Sequence, residues 1–382
     1  MKIIQLIYNL SSGGAERFVV DLCNRLARNR GDEVVLVMTD AIDNPKRRHY
    51  LGDLSPNVRW ICLGCKSGLS FNSFRKVFLT IKREKPDIVH AHCQVLLLLF
   101  PTLFLKKAKY FHTLHNLAQK CIFNKKLKCV YTFLYNRKVF PITISQTCKQ
   151  SFVSFYGNDN VVDIVNGREP IGHSDLYDFV KHEVEHLKAN EMTPVFVHVA
   201  RYSSQKNQPR LFRVFERLDS EGVDFLLLCI GSGYKQENVP HLSDGNKIKL
   251  LGEKKNVGDY LLASDFFILS SDYEGLPLSL LEAMSVGVVP ISTPAGGVVD
   301  VIRNGINGYM SERIDDESLY QTVKFALSHK GEISKEKIIQ EYNDNYSMDK
   351  CAKEYYKLFK FRMFTKTCIS CISCTKDNVK TI

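Results

Sequence analysis

Short apolar runs and amphipathic stretches alternate along the chain, an order typical of parallel β-sheets covered by helices. In the first part we predict strands over residues 2–8, 33–39, 87–91, 110–115, 141–145 and 161–167, and helices over 15–28, 74–84 and 146–155. Beyond polar, irregular sequence at 168–193, we predict strands over 194–200, 224–230, 247–250, 265–269 and 288–292, and helices over 208–219, 257–263, 279–286, 297–303, 317–328 and 348–361. The predicted fold class is therefore α/β, in two similar layers.

The length of the chain, 382 residues, also favours two domains, because single cores rarely grow beyond about 250–300 residues. We place an N-terminal domain over 1–167 and a C-terminal domain over 168–345. Residues 363–382 follow the last predicted helix and are expected to form a flexible tail. Three of the cysteines lie in this tail, Cys368, Cys371 and Cys374. Metal binding or lipidation of these cysteines stays open as an alternative.

Composition narrows the class of protein. Hydrophobic residues make up 45% and charged residues 24% of the chain, as in ordinary soluble domains, so disordered, collagenous and coiled-coil proteins are excluded. The longest apolar run, residues 95–105, is about half as long as a membrane-spanning helix. The opening residues predict a strand rather than a signal peptide, so we expect a cytoplasmic protein whose twelve cysteines are mostly reduced.

The net charge of +11 points to an anionic partner and is unevenly distributed. Residues 1–170 hold 26 basic and 12 acidic side chains, whereas residues 171–382 hold 26 and 29. Between Asp87 and Asp159, ten Lys and Arg occur without any Asp or Glu. The basic segment 106–138 would contact an anionic membrane surface, because basic and aromatic residues alternate in its part 121–138 and predict a helix suited to such a surface. A solvated basic face packed on its apolar side is the alternative.

The first predicted strand and helix are separated by a Gly13-Gly14 turn. Glycine lets a substrate approach the backbone, and the helix N-terminus offers N–H groups to a phosphate. A tight turn without a ligand is equally consistent with these residues. The loop does not match the dinucleotide pattern G-x-G-x-x-G, so nicotinamide chemistry gains no support.

Four histidines, His90, His92, His112 and His115, lie at the ends of two predicted strands. They are accompanied by neither suitably spaced cysteines nor an H-E-x-x-H helix, so we expect no metal. A structural hydrogen-bonding role is the usual one for such histidines. His115 is the best placed of the four to contact a substrate.

Charged residues follow two strands predicted in the second domain. Arg201 and Lys206 share a strand-to-helix loop, a spacing suited to a diphosphate, although a solvated surface pair is the alternative. Glu274 and Glu282 flank a Gly/Pro loop and a helix start. They would offer two carboxylates to sugar hydroxyls beside free backbone N–H groups for phosphate. Ordinary turn and helix-start roles are the alternatives, but the spacing is longer than that of a capping pair.

An ordered set of short motifs resembles one known family. The motifs are GGAER at 13–17, PDIVHAH at 86–92, NG at 166–167, Arg201 with KN at 206–207, GSG at 231–233, EGLPLSLLE at 274–282 and GINGY at 305–309. Together they resemble the family 4 glycosyltransferases of the GT-B fold, over about residues 1–360. The resemblance implies two Rossmann-like domains that face each other across a cleft, with the last helix, 346–362, returning to the first domain.

The resemblance also implies an activity and a set of roles. The reaction would be a retaining hexosyl transfer from a nucleoside-diphosphate sugar to an acceptor hydroxyl, with no further cofactor and no metal. Arg201 and Lys206 would hold the diphosphate, Glu282 the ribose and Glu274 the donor sugar. His115 would touch the sugar near its C6 end. Further donor contacts are expected from Gly13, Gly14, Gly275, Leu278 and Ser279.

One departure from the family pattern lies in the linker. After Asn166-Gly167 the family often has a hydrophobic residue and then Asp, whereas Arg168-Glu169-Pro170 follow here. The contacts on the linker side of the donor site are therefore left open.

The resemblance favours a glycan acceptor, either lipid-linked or part of a surface polysaccharide such as lipopolysaccharide or capsule. A peripheral location on the inner face of the cytoplasmic membrane fits such an acceptor and the basic segment. A GT-B nucleotide-sugar epimerase, which needs no acceptor, is kept as an alternative. The alternative of a nucleic-acid-binding protein is supported by the net charge alone, and no recognised nucleic-acid-binding module is found in the sequence. We therefore expect no nucleic-acid partner.

Overall fold

Two parallel β-sheets covered by helices make up the computed structural model of the chain, and this confirms the predicted α/β class. The chain divides into an N-terminal unit, Met1–Gly167 with the helix that begins at Met348, and a C-terminal unit, Arg168–Ser347. The structure describes residues 1–40, 45–65, 68–105, 107–234 and 247–364. From residue 365 onward the predicted cysteine-rich tail lies outside these described residues.

Seven parallel strands form the sheet of the N-terminal unit. They are β1 (Lys2–Ile7), β2 (Glu33–Asp40), β3 (Val58–Cys65), β4 (Ile88–His92), β5 (Lys109–Leu114), β6 (Val139–Thr143) and β7 (Val162–Asp163). Their order across the sheet is β3-β2-β1-β4-β5-β6-β7. The inner strands are buried on both faces, and this is why they are nearly continuous apolar runs. The edge strand β3 is half exposed, and it was not predicted from the sequence.

Among the described residues of the N-terminal unit, five α-helices precede the linker. They are α1 (Gly14–Leu26), α2 (Phe71–Glu84), α3 (Ala118–Cys121), α4 (Lys128–Arg137) and α5 (Gln146–Tyr156). Short 3₁₀ segments lie at Pro45–Arg47, Leu51–Asp53, Cys93–Phe104 and Lys125–Leu127. Serine side chains start two of the helices, since Ser70 accepts from the N–H of Ser73 in α2 and Ser145 from that of Cys148 in α5. Such caps satisfy N–H groups that a helix cannot pair within itself.

The longest apolar run of the sequence becomes the 3₁₀ segment Cys93–Phe104 of the N-terminal unit. Its leucines at 96–99 are buried in the core of that unit. Across the described ranges of the chain, no helix combines the length and the apolar character needed to cross a bilayer.

The basic segment differs from its prediction. Its first part forms strand β5, and its remainder forms the short helix α3, one 3₁₀ turn at Lys125–Leu127 and the ten-residue helix α4 instead of one basic helix. Asn124 starts the 3₁₀ turn by accepting from the N–H of Lys126, and Tyr131 and Tyr135 anchor α4 in the core. The helical pattern is interrupted between α3 and the 3₁₀ turn, where the backbone of Ile122 and Asn124 is extended.

Six parallel strands form the sheet of the C-terminal unit. They are β8 (Val195–Val199), β9 (Leu226–Ile230), β10 (Ile248–Gly252), β11 (Phe266–Leu269), β12 (Val289–Ser292) and β13 (Tyr309–Met310). Their order is β10-β9-β8-β11-β12-β13. The central strands β8, β9 and β11 are almost wholly buried and were all predicted from their apolar runs.

In the described part of the C-terminal unit, six α-helices and one 3₁₀ segment cover this second sheet. They are α6 (Tyr177–Leu187), α7 (Gln208–Ser220), α8 (Val257–Leu262), α9 (Leu278–Ser285), α10 (Asp316–Ser328) and α11 (Lys335–Asn345), with the 3₁₀ segment at Gly296–Asp300. Helix α6 contradicts the prediction of irregular structure over 168–193. Its only fully buried residues are Val180 and Val184, four positions apart, and it packs against α8. A stripe of two apolar residues is too short to stand out in the sequence.

The last described helix, α12 (Met348–Phe364), belongs to the N-terminal unit and packs against α1. Arg25 and Asp349 form an ion pair at 2.8 Å between these two helices. Tyr355 of α12 lies 3.0 Å, hydroxyl to hydroxyl, from Thr113 of β5. The helix therefore contributes both to the covering layer of the sheet and to the buried polar groups at its strand ends.

Candidate active site

The loops that follow β8 and β11 frame the candidate site of the C-terminal unit. The strand order reverses at this point, since β9 lies on one side of β8 and β11 on the other. In open parallel sheets, ligands bind in the crevice that such a reversal leaves at the carboxyl ends of the strands. Arg201 and Lys206 lie on the first of these loops and Glu274 on the second. The structure thus brings three of the predicted residues to one crevice.

A buried amide shapes the first loop. Gln208 is fully buried, donates from Nε2 to the carbonyl of Arg201 (3.0 Å) and accepts at Oε1 from the N–H of Ser203 (3.2 Å). Asn207, with a φ of 46°, caps α7 by accepting from the N–H of Arg210 (3.3 Å). These bonds hold the loop backbone against the start of α7 and leave the Arg201 side chain exposed, where an anion can reach it.

An ion pair joins the two loops. Lys206 Nζ lies 2.6 Å from Oε1 of Glu274, whose side chain is 5% exposed. Ser271 Oγ donates to the same oxygen at 2.6 Å, and Gln205 Nε2 donates to Oε2 at 3.2 Å. A carboxylate tolerates burial only when it is paired and hydrogen-bonded, so these partners also fix its orientation. Lys206 and Glu274 therefore form one pre-organised unit.

Two glycines allow the loops to pack this closely. Gly296 has a φ of 58°, and a Cβ there would lie 1.9 Å from the carbonyl oxygen of Glu274. Gly231, at the end of β9, has a φ of 147°, and a Cβ there would lie 2.1 Å from the carbonyl oxygen of Ala200. Only glycine combines these backbone angles with this space. The backbone of each site loop therefore packs closely against a neighbouring segment, at Gly231 for the first loop and at Gly296 for the second.

The N-terminus of helix α9 directly follows the second loop. It begins after Pro277 without a side-chain cap, so the backbone N–H groups at Leu278 and Ser279 keep their capacity to donate. The helix dipole adds a partial positive charge at this end and favours an anion. Gly275 and Leu278 are buried, so their contacts with a ligand run through the backbone.

Glu282 lies one turn further along α9 and pairs with a residue outside the predicted set. Arg168 Nε donates to Glu282 Oε1 at 2.7 Å, and the two side chains are 10% and 15% exposed. Arg168 stands where the family pattern often has a hydrophobic residue. The residue that departs from the family pattern in the linker, Arg168, is therefore the hydrogen-bond donor to Glu282, the second glutamate of the motif at 274–282.

A chain of uncharged side chains lies at the matching strand reversal of the N-terminal unit. There β1 is flanked by β2 on one side and β4 on the other. Gln5 Oε1 lies 2.7 Å from Nε2 of His92, and Nδ1 of His92 lies 3.0 Å from Nε2 of His115. His115, just beyond β5, is half-buried and is the end of this chain that a ligand can reach.

Burial keeps these histidines neutral. Desolvation lowers the pKa of His115 to about 3, with repulsion from His112 adding to the effect, and lowers the pKa of His112 to about 4. The pKa values of His90 and His92 lie well below the ordinary value for the same reason. At neutral pH the cluster can therefore donate and accept hydrogen bonds while it carries no charge.

His112 and His90 are hydrogen-bonded to buried groups of the N-terminal unit. His112 bridges the hydroxyl of Tyr135 (2.8 Å) and the carbonyl of Cys93 (2.6 Å). His90 Nε2 lies 2.7 Å from the hydroxyl of Thr113. This is the structural role that such strand-end histidines usually have.

The Gly13-Gly14 turn starts α1, and an acidic side chain folds back over it. A Cβ at Gly13 would lie 2.2 Å from Oε2 of Glu16, and Ser11 Oγ donates to Oε1 of Glu16 at 3.1 Å. A carboxylate in the first turn is stabilised by the helix dipole. Gly14 itself is exposed, so a phosphate could approach its backbone but would compete with Glu16 for this helix end.

No group of three or more His, Cys, Asp and Glu in the described ranges is arranged to hold a metal ion. The cysteines found there are all free thiols: Cys23, Cys62, Cys65, Cys93, Cys121, Cys129, Cys148, Cys229 and Cys351. Most of them are buried, and burial raises the pKa of Cys121 to about 12. Buried thiols with raised pKa values are unreactive.

Four residues of the two sites were missed in the sequence. Ser271 lies two residues after β11, and Gln205 lies between Arg201 and Lys206 on the loop after β8; these places on strand-end loops are the only signal that marks them. Gln5 could have been found as a polar residue inside an apolar strand. Arg168 was visible as a departure from the family pattern, but its partner was not.

Both halves of the chain match glycosyltransferase families. Residues 180–345 match the family described as Glycosyl transferases group 1, and residues 12–170 match Glycosyltransferase Family 4. The chain belongs to these glycosyltransferases. The resemblance that was drawn from the short motifs is thereby confirmed.

Curated relatives of this glycosyltransferase are similar over different lengths. N-acetyl-alpha-D-glucosaminyl L-malate synthase of Bacillus anthracis is 27% identical over 48% of this chain, and the match spans about half, 54%, of that protein. UDP-Gal:alpha-D-GlcNAc-diphosphoundecaprenol alpha-1,3-galactosyltransferase of Escherichia coli is 26% identical over 74% of this chain and 75% of its own length. Capsular polysaccharide biosynthesis glycosyltransferase CapH of Staphylococcus aureus is 24% identical over 87% of this chain and 93% of its own.

A solved structure shares the fold of the glycosyltransferase. Anabaena Alr3699/HepE, in complex with UDP-glucose, is similar with a TM-score of 0.78 over 94% of this chain and 99% of that one. At 18% identity this likeness shows the fold alone. The GT-B fold class that was predicted from the sequence is confirmed.

Proposed function

We propose that this glycosyltransferase moves a hexose, with retention of configuration, from a nucleoside-diphosphate sugar to a hydroxyl of a glycan. The observation that carries the proposal is the buried Lys206–Glu274 pair at the strand reversal of the C-terminal unit. A cation for phosphate and a carboxylate for sugar hydroxyls, held 2.6 Å apart, match the two chemically different parts of such a donor.

In this proposal each part of the donor, the diphosphate, the transferred sugar and the ribose, is bound by particular residues. Arg201, which is exposed, and Lys206 bind the diphosphate, together with the uncapped N-terminus of α9 at Leu278 and Ser279. Glu274 accepts from hydroxyls of the transferred sugar. Glu282 accepts from the ribose.

The proposed chemical step needs no covalent intermediate with the protein. The bond between the anomeric carbon and the diphosphate oxygen breaks, and its electron pair stays on the diphosphate. The acceptor oxygen bonds to the anomeric carbon on the same face, and its proton passes to the departing phosphate oxygen. Arg201, Lys206 and the start of α9 stabilise the negative charge that develops, in a site already organised before the reaction. We therefore propose that the reaction requires no metal.

The proposed class of acceptor follows from the names of two relatives. The E. coli relative is named for a diphosphoundecaprenol-linked acceptor and the S. aureus relative for capsular polysaccharide. We propose an acceptor of this kind, a lipid-linked or surface-polysaccharide glycan, and a reaction at the inner face of the cytoplasmic membrane.

The transfer is tested with purified protein, UDP-glucose, UDP-galactose and UDP-N-acetylglucosamine, and a polyprenyl-diphosphate-linked sugar as acceptor. We expect nucleoside diphosphate release that depends on the acceptor, and a product whose glycosidic configuration, read by NMR, equals that of the donor. Inverted product contradicts retention. Turnover of the donor without acceptor instead identifies an epimerase, and the absence of any nucleotide-induced thermal shift would exclude the donor site.

Membrane contact is proposed through the N-terminal unit. Phe104 is 78%, Phe123 50% and Phe133 53% exposed, and the exposed lysines Lys125 and Lys126 lie in the same acid-free stretch. Exposed aromatic and basic side chains without acidic neighbours in sequence suit an anionic lipid surface.

Co-sedimentation tests this contact with vesicles of phosphatidylglycerol and phosphatidylcholine and with vesicles of phosphatidylcholine alone. We expect binding to the anionic vesicles at low salt and its loss in the triple variant Phe123→Ser, Lys125→Glu, Lys126→Glu. Phe179→Ser is the matched control, because Phe179 is 69% exposed but lies on α6 of the other unit. Equal binding of the triple variant and the control would contradict the proposed surface.

A further inference from the structure

The second glutamate of the donor motif is held by a residue that the motif does not contain. Arg168 is 8% exposed, and its Nε donates to Oε1 of Glu282 at 2.7 Å. Both side chains are largely shielded from water, at 10% and 15% exposure, so this contact is not an ordinary surface ion pair. A shielded pair of this kind restricts both side chains to one geometry.

The backbone around Arg168 is fixed on both sides, and this sets the direction of its side chain. Its N–H donates to the carbonyl of Tyr346 at 3.0 Å, and its own carbonyl accepts from the hydroxyl of Tyr342 at 2.5 Å. A few residues later the N–H of Ile171 donates to Ser285 Oγ at 3.3 Å. That hydroxyl in turn donates to the carbonyl of Glu282 at 2.7 Å. The linker is therefore attached to α9 at Glu282 through the backbone as well as through the ion pair.

The pairing leaves Glu282 able to bind a ligand. An ionised carboxylate has about four acceptor positions, and the guanidinium Nε uses one of them, on Oε1. A ribose presents two neighbouring hydroxyls, and both can donate to a single carboxylate. An arginine suits the supporting role better than a lysine, because its planar guanidinium stays charged and fixes the plane of the carboxylate.

We propose that Arg168 is a positioning residue that holds the Glu282 carboxylate in the orientation required by the ribose diol of the donor nucleotide. This inference rests on the proposed function and deepens it, since it selects ribonucleoside diphosphate sugars over 2′-deoxyribonucleoside ones. Arg168 acts through Glu282 and need not touch the substrate. Its loss would free the carboxylate to rotate and would weaken the ribose contact only.

The test measures binding of UDP, GDP and ADP and of their 2′-deoxy forms by calorimetry. We expect the unaltered protein to prefer the ribo form of the nucleotide that it binds. Arg168→Ala should weaken binding of the ribo form about tenfold, the size of a lost charge-assisted hydrogen bond, and leave the deoxy form nearly unchanged. Arg168→Lys should restore part of the preference. In transfer assays the donor KM should rise while kcat stays close to that of the unaltered protein.

Arg213→Ala is the matched control, since Arg213 also forms an Nε–carboxylate pair, with Asp316 at 2.5 Å, but is 55% exposed and lies on α7. It should keep the ribo preference. The proposal is overturned if Arg168→Ala, or Arg168→Lys should the alanine variant not fold, keeps the full ribo-to-deoxy ratio. A protein that binds no nucleoside diphosphate in either form overturns the proposed function as well. A protein that binds both forms equally retains the donor site but overturns the role given to Glu282, and with it that of Arg168.

Discussion

Both sheets reverse their strand order beside a central strand, β1 in the N-terminal unit and β8 in the C-terminal unit, but the two reversals are lined differently. In the C-terminal unit an ion pair, Lys206 with Glu274, joins the neighbouring loops. In the N-terminal unit the same position holds Gln5, His92 and His115, which are linked by hydrogen bonds, and burial keeps the two histidines neutral. One topology thus supports two kinds of site, a charged one suited to a diphosphate and an uncharged one suited to hydroxyls.

The physical basis of the contrast is the free energy of burying a charge at the carboxyl ends of the strands. A buried charge is tolerated only beside an opposite charge and hydrogen-bond donors, which Lys206, Ser271 and Gln205 supply to Glu274. In the N-terminal cluster, desolvation by burial and, after it, repulsion from the other histidines lower the pKa values of His90 and His92, so these side chains stay neutral. Four measurements test whether the two strand reversals differ in this way.

The largest effect is expected for Lys206→Ala. Loss of the cation should reduce transfer by about 100-fold or more, because a positioned donor to the leaving group disappears. It should also lower the free energy of unfolding by about 3 kcal/mol, because Glu274 is left buried without its partner. Initial rates of nucleoside diphosphate release and urea unfolding measure the two effects.

Two further variants separate binding from stability for Lys206. The double variant Lys206→Met, Glu274→Gln removes both charges and should recover much of the stability but none of the transfer. Lys255→Ala, an exposed lysine of the same unit, should match the unaltered protein in both assays. Near-normal transfer in Lys206→Ala would contradict a charged donor site at this crevice.

The next effect concerns the close packing behind Glu274. Gly296→Ala places a Cβ against the carbonyl of Glu274 and should lower the free energy of unfolding by about 2 kcal/mol, together with a loss of transfer. Gly305→Ala is the matched control, since its φ of 71° is also left-handed but nothing lies within 4 Å of a Cβ there. Thermal unfolding should show the larger shift for Gly296. Equal shifts would mean that backbone strain, rather than contact with the loop, decides the outcome.

The third effect is a pH dependence that belongs to the neutral cluster. Burial lowers the pKa of His112 to about 4 in the folded state, whereas the ordinary value is 6.5. Between these values the unfolded chain binds a proton that the folded chain does not, so stability rises with pH and is lost on acidification. At pH 5 this one group should cost about 2 kcal/mol relative to neutral pH.

Urea unfolding at pH 7 and pH 5 measures this loss, with His112→Gln as the variant that cannot titrate. The difference between the two pH values should be about 2 kcal/mol smaller in the variant. His49→Gln, at an exposed position, should follow the unaltered protein. Parallel behaviour of His112→Gln and the unaltered protein would show that His112 is not held neutral by burial.

The smallest effect is expected from a chelator. If Arg201, Lys206 and the start of α9 stabilise the leaving diphosphate, EDTA should change the rate of transfer by about twofold at most. The rate is measured before and after dialysis against EDTA. Complete loss of activity that a divalent ion restores would replace the proposed metal-free mechanism.

The sequence anticipated the architecture where each element carries its own signal. Strands β8, β9 and β11 are short apolar runs, and α7 has a clear amphipathic pattern that begins after an Asn cap. Elements with weak local signals were not predicted. The edge strand β3 is half exposed, and α6 and α11 bury only two residues each.

The residue types at the candidate sites were likewise visible in the chain, because they lie in short motifs at predicted strand ends that occur in the order of the family. Their partners were not visible. Arg168 meets Glu282 across 114 positions of sequence, and Gln5 meets His92 across 87. Such pairs depend on strand register and on the exact path of two loops, which periodicity within a single element does not contain.

The α/β class, the two-part organisation and the family of the chain could all be predicted from the amino-acid sequence. These follow from apolar periodicity and from short motifs, both of which are local. The tertiary structure alone decided that Glu274 is buried against Lys206, that Arg168 holds Glu282 and that the histidines are shielded from water. Hydrogen bonds and desolvation act over a few ångströms in space, so they are set only when segments distant in sequence have packed together.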